Sequence, residues 1–170
     1  MEKISVMKSG LLIAAIVAFV SANAGLALDG KVFPGKGDKQ TWVSACRIAN
    51  DGVALAKAKK PDAALMKFQQ AIAMYPHSDA FQREVGVTCE ERAKPGDLKK
   101  AEAAYRKACE LDPKDWKNWN ALATVLSDQK RYKECKQACI RALNCSIPAS
   151  EKEPLQKTIA EIDQYLLTHK

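Results

Sequence analysis

Residues 64–76 read ALMKFQQAIAMYP and residues 101–113 read AEAAYRKACELDP. Set in register, they place alanine, an aromatic ring, alanine and proline at the same intervals: Ala64, Phe68, Ala71 and Pro76, then Ala101, Tyr105, Ala108 and Pro113. A looser third copy runs through Cys135, Cys139, Ala142 and Pro148, with its proline one place late. Self-similarity at a period of about 34 residues marks stacked helical hairpins, each unable to bury its apolar face alone. Chains of that class hold other proteins rather than carry out chemistry.

The punctuation around these copies locates the helices. Lys59, Lys60, Pro61 and Asp62 break one helical pair, and Pro76, His77 and Ser78 close it. Lys94, Pro95, Gly96 and Asp97 break the next, and Pro113, Lys114 and Asp115 close that one. Each proline stops a helix or sits in a first turn, where its missing N–H costs little. Asp79 with Gln82, Asp115 before Trp116, and Ser150 with Glu153 are the expected caps. From Trp42 onward the pattern is helical, and nothing alternates apolar and polar residues long enough to suggest a strand.

The fold class is therefore all-α: a right-handed solenoid of three helix-turn-helix repeats, 45–78, 79–115 and 116–149, closed by a capping helix over 150–170. Leu155, Ile159, Ile162 and Leu166 give that last helix an apolar stripe, and Lys152, Lys157, Glu161 and Gln164 mark its polar side. Without it the final repeat would leave its apolar face in water.

Upstream, residues 25–41 are rich in Gly, Lys and Asp and read as a flexible lead-in. Before them Lys3 and Lys8 precede an apolar run over 11–20 that leads into Ala22, Asn23 and Ala24, a small-x-small cleavage pattern. Residues 1–24 are accordingly read as a secretory signal peptide, which makes the chain periplasmic or secreted. The alternative is an uncleaved membrane anchor, because the run stays mostly apolar to Leu28.

The chain has 170 residues, room for about one domain, and a formal net charge of +7. Its basic clusters, such as Lys99 and Lys100 or Lys130, Arg131 and Lys133, sit among acids on helical segments, as solvated helix faces do. Peripheral contact with an anionic membrane surface is a further outlet for this charge. Nucleic acid is excluded as a partner, because no aromatic residues are interleaved with the basic clusters.

These residues resemble the tetratricopeptide repeat family, whose unit carries Trp-x2-Leu-Gly-x2-Tyr in its first helix and Ala-x3-Phe with a later Pro in its second. Residues 116–149 match the first helix through Trp119, Leu122, Ala123 and Leu126. Residues 79–115 supply Val85, Gly86 and Cys89 and carry three extra residues near Pro95 and Gly96; residues 45–78 keep Gly52 and Leu55 but have Asp51 at an apolar place. In steric terms, Gly52, Gly86 and Ala123 let paired helices approach opposite Ala64, Ala101 and Cys135. Phe68 and Tyr105 fill the space between neighbouring hairpins, and Ala71, Ala108 and Ala142 admit the next one.

The resemblance implies a concave groove lined by the first helices. Its candidate contacts are Cys46, Ala49, Val53 and Lys57, then Arg83, Val87, Glu90 and Glu91, then Lys117, Asn120, Thr124 and Ser127. Such a groove suits an extended peptide or a partner helix. One branch of the family grips a terminal carboxylate with a two-Lys, one-Arg, two-Asn clamp. Lys117 matches one clamp place, but Ala49, Val53, Glu84 and Ala121 occupy the others, so that clamp is absent.

Cys46, Cys89, Cys109, Cys135, Cys139 and Cys145 leave three readings open. They are buried thiols standing in for Ala or Leu, or they form one or two disulfides between helices, or they belong to a metal site. A bond between Cys135 and Cys139 is poorly directed along one helix. Nothing assembles a reaction: there is no phosphate loop, no nucleophile elbow, no His-Glu-x2-His, and neither His77 nor His169 is placed beside an orienting group. The expectation is a non-catalytic interaction module or adaptor without cofactor, working outside the cytoplasm on a protein or peptide partner. The alternatives are a structural component of an envelope or secretion assembly and, behind it, a cysteine-based redox or metal-handling protein.

Overall fold

The structure is a computed structural model and describes residues 35–169. The apolar segment read as a signal, and most of the lead-in, lie outside the described residues. Among the described residues there are seven α-helices and no strand. They fall into two compact units, one ending at Pro113 and the other beginning at Lys114.

In the first unit, α1 (Lys39–Lys57) pairs with α2 (Pro61–Met74), and α3 (Asp79–Arg92) pairs with α4 (Asp97–Leu111). Helix α1 starts three residues ahead of Trp42, where the periodicity begins, because Asp38 caps it. The Asp38 carboxylate accepts from the Thr41 amide at 2.6 Å and from the Thr41 hydroxyl at 2.8 Å. Lys59 reverses the chain in the left-handed region at φ 58°, and Pro61 then opens α2. At α3 the cap is Ser78, whose hydroxyl accepts from the Phe81 amide at 3.4 Å. Asp79, the expected cap, instead lies in the first turn, where its charge suits the helix dipole.

The core of this unit is small residues around large rings: Ala45, Ala49 and Ala64 surround Phe68, and Ala80 lies beside Phe81. Burying Phe68 completely contributes on the order of 2–3 kcal/mol. What the glycines admit is the ring of the same hairpin's second helix. A Cβ built on Gly52 would come within 2.8 Å of the Phe68 ring, and one on Gly86 would overlap the Tyr105 ring. The Tyr75 hydroxyl donates to the Lys36 carbonyl, which ties the segment before α1 to the end of α2.

The three extra residues of the second repeat form a turn locked by charge. Ala93 and Gly96 both adopt left-handed backbone, with φ 52° and 85°. Arg92 donates to Asp97 through two nitrogens, at 2.8 and 2.6 Å, and the Lys94 amide donates to the same carboxylate at 3.0 Å. Asp62, at the start of α2, receives Arg92 at 2.6 Å and the Lys94 ammonium at 2.9 Å. That set of bonds holds the α3–α4 turn against the neighbouring hairpin.

In the second unit, α5 (Trp116–Asp128) pairs with α6 (Tyr132–Leu143), and α7 (Ala149–Thr168) packs on α6. Asp115 caps α5, accepting from the Lys117 amide at 3.0 Å. Helix α7 begins at Ala149 with Pro148 in the cap position, so Ser150, expected to cap it, lies inside the first turn. Leu155 and Ile162 are buried, while Ile159 and Leu166 are half-buried. Lys136 and Asp163 join α6 to α7 by an ion pair. Arg141 lies over the Trp119 ring, 5.9 Å from its centre, and Trp119 stays half-buried.

The three hairpins obey one volume rule. Gly52 and Gly86 face full rings, whereas the third hairpin has Ala123 at the glycine place and Cys139 at the ring place, both wholly buried. Losing the ring makes room for one methyl group.

Candidate binding cleft

The facing sides of α1 and α3, within the first unit, form a cleft of about 260 Å³. Val53, Ala56, Lys57 and Lys59 line it from α1 and its turn; Glu84, Val87, Thr88 and Glu91 line it from α3. The α3 residues recur at steps of three and four, which places them on one helical stripe. Thr88 donates its hydroxyl to the Glu84 carbonyl at 2.7 Å, so its polar atom is spent and its methyl is available to the cleft. The result is an apolar floor of Val53 and Val87 between a wall with two ammonium groups and a wall on which Glu91 is the exposed carboxylate and Glu84 lies buried.

Val53, Lys57, Val87 and Glu91, four of the groove residues expected from sequence, meet here. Others do not. Arg83 is only 4 % exposed and its guanidinium is held by Asp79 at 3.3 Å. Glu90 accepts from the Tyr105 hydroxyl, because a buried phenol needs an acceptor. In the second unit Asn120, Thr124 and Ser127 are buried, and Thr124 donates back to the Asn120 carbonyl at 3.1 Å. Lys117 is half-buried in the first turn of α5. Ala56, Lys59, Glu84 and Thr88 line the cleft without having been expected there. The spacing of Glu84, Val87, Thr88 and Glu91 carried that signal; Lys59 did not, because it reaches the cleft from a left-handed turn.

Of the residues expected to pack the repeats, Gly52, Ala64, Phe68 and Ala71 are buried in the first hairpin. Gly86, Ala101, Tyr105 and Ala108 are buried in the second, and Leu122, Ala123 and Ala142 in the third. Burial, and then the charge of Glu90, pushes the Tyr105 hydroxyl well above its ordinary pKa.

All six cysteines are thiols rather than disulfides, so the disulfide reading does not describe this structure. Cys89, Cys109, Cys135 and Cys139 are buried, and Cys46 and Cys145 are half-buried. Burial raises the Cys89 thiol, and a hydrogen bond with Cys135 together with burial raises Cys139. Among the described residues no group of three His, Cys, Asp or Glu side chains could hold a metal ion, and no helix is long and apolar enough to cross a membrane.

The sequence pattern of the Tetratricopeptide repeat family matches residues 104–137. No curated protein matches the chain. Among solved structures, the TPR domain of Arabidopsis OM64 is similar with a TM-score of 0.62 at 18% identity, over 73% of this chain and 98% of that one. The Sgt2 TPR domain from Aspergillus fumigatus is similar with a TM-score of 0.62 at 21% identity, over 75% and 84%. At these identities the likeness concerns the fold. Residues 104–137 thus carry a Tetratricopeptide repeat pattern, and the helical hairpins are folded as in those TPR domains.

Proposed function

We propose that this protein is an exported, non-catalytic adaptor that holds an extended peptide or a helix of a partner protein in the cleft between α1 and α3. The cleft carries the reading: an apolar floor with Lys57 and Lys59 on one side and Glu84 and Glu91 on the other. A side chain of the partner is desolvated on the two valines, while the opposed charges fix its direction. A terminal carboxylate is a poor occupant, because Glu84 stands where a clamp would need a donor. Export is supported by Lys3 and Lys8, the apolar run after them, and the small residues at 22–24.

Filling the cleft tests this reading. Val87→Arg should abolish capture of the partner from an extract, whereas Gln70→Arg, on the exposed side of α2, should leave it unchanged. Capture that survives Val87→Arg would remove the cleft from the function. N-terminal sequencing of protein recovered from outside the cytoplasm should find the chain beginning after Ala24; a chain retained in the cytoplasm would contradict export.

A further inference from the structure

In the second unit, the turn between α5 and α6 meets the last turns of α7 around a hollow of about 360 Å³. Lys130, Tyr132, Lys133, Tyr165 and Leu166 line it, together with Arg131 and Glu134. Arg131 and Glu134 neutralise each other at 2.6 Å. Lys130 and Lys133 are exposed and make no ion pair among the described residues, so the hollow keeps two uncompensated positive charges.

The apolar part of the same patch is equally distinctive. The Tyr132 and Tyr165 rings meet edge to face with centres 4.7 Å apart, and Tyr165 stacks on His169 at 4.1 Å. Leu166, half-buried, completes the lining from α7. Ammonium groups above amphipathic phenols and a half-buried leucine match the layered chemistry of a bilayer surface: anionic headgroups outside, ester level below, acyl carbon beneath.

We propose that this patch is a docking surface for an anionic phospholipid bilayer. It lies in the second unit and does not depend on the α1–α3 cleft. The full chain is mixed with equimolar phosphatidylglycerol and phosphatidylcholine vesicles, with phosphatidylcholine vesicles, or with soluble polyglutamate. Acetylation of Lys130 and Lys133 is followed residue by residue by mass spectrometry, with Lys99 as reference. Lys3 and Lys8 before the N-terminal apolar segment also favour anionic vesicles, so the patch is read from protection at Lys130 and Lys133 relative to Lys99 and not from total binding.

Anionic vesicles alone should slow both lysines about fivefold or more, the effect of one membrane-facing charge. Lys130→Gln with Lys133→Gln should lower the preference for anionic over neutral vesicles about thirtyfold. Equal protection on neutral vesicles, no protection on either, or the same protection by polyglutamate would overturn the proposal, the last in favour of an acidic polypeptide.

Discussion

Gly86 lies against the ring of Tyr105 so closely that a single added methyl group would occupy ring space. Tyr105 is wholly buried and its hydroxyl is anchored on Glu90, so the ring has no route of retreat. Gly86→Ala should therefore destabilise the protein although alanine is the better helix former. A net loss of about 2 kcal/mol lowers Tm by about 4–8 °C, which thermal unfolding followed by circular dichroism would measure. An unchanged or raised Tm would show that the ring gives way.

The third hairpin supplies the converse. Cys139 stands where the other hairpins carry a ring, and Ala123 where they carry glycine. Cys139→Phe alone should overpack the α5–α6 hairpin, and adding Ala123→Gly should recover part of the loss. The coupling between the two sites should exceed about 1 kcal/mol in a double-mutant cycle. Additive effects would mean that the two positions do not share one volume.

The turn after α3 should give the stability curve an acid limb. Arg92, and then the Lys94 amide, hold the Asp97 carboxyl down at about 2, against an ordinary value of 3.8. Its contribution is thus complete above about pH 4 and is lost as pH falls toward 2, where the unfolded chain takes up the proton first. Between pH 5 and pH 2.5 the Tm of the natural chain should fall more steeply than that of Asp97→Asn. Parallel curves would remove Asp97 as a source of the acid sensitivity.

The thiols should titrate by burial. Cys46 and Cys145 should alkylate first under native conditions, and Cys89, Cys109, Cys135 and Cys139 only on unfolding. Burial of Cys89 also raises its pKa and keeps its reactive thiolate scarce at neutral pH. Counting modified residues by mass spectrometry with and without reductant should give the same total. Extra thiols after reduction would show a disulfide.

The repeat was legible because packing imposes it: Ala64, Phe68 and Ala71 recur as Ala101, Tyr105 and Ala108 since each hairpin solves the same steric problem. Less legible was what each small residue faces, because Gly52 and Gly86 meet rings 16 and 19 positions later, a pairing that no local periodicity displays. Arg83 and Glu90 were misplaced toward a partner for one reason. Polar side chains on an inner helix are drawn to acceptors and donors within the fold, here Asp79 and Tyr105. Helix ends were displaced where a better cap stood one or more residues away, as Asp38 and Ser78 show.

The claim that the cleft between α1 and α3 holds the partner is tested most directly by where the partner touches. A photoreactive residue is placed at Val87 in one full-length chain and at Gln70 in another, and adducts are compared after illumination in an extract. An adduct is expected from Val87 alone, lost when Lys57→Glu and Glu91→Lys reverse the charges of the two walls. The same adduct from Gln70, or one from Val87 that survives the charge reversal, would contradict it.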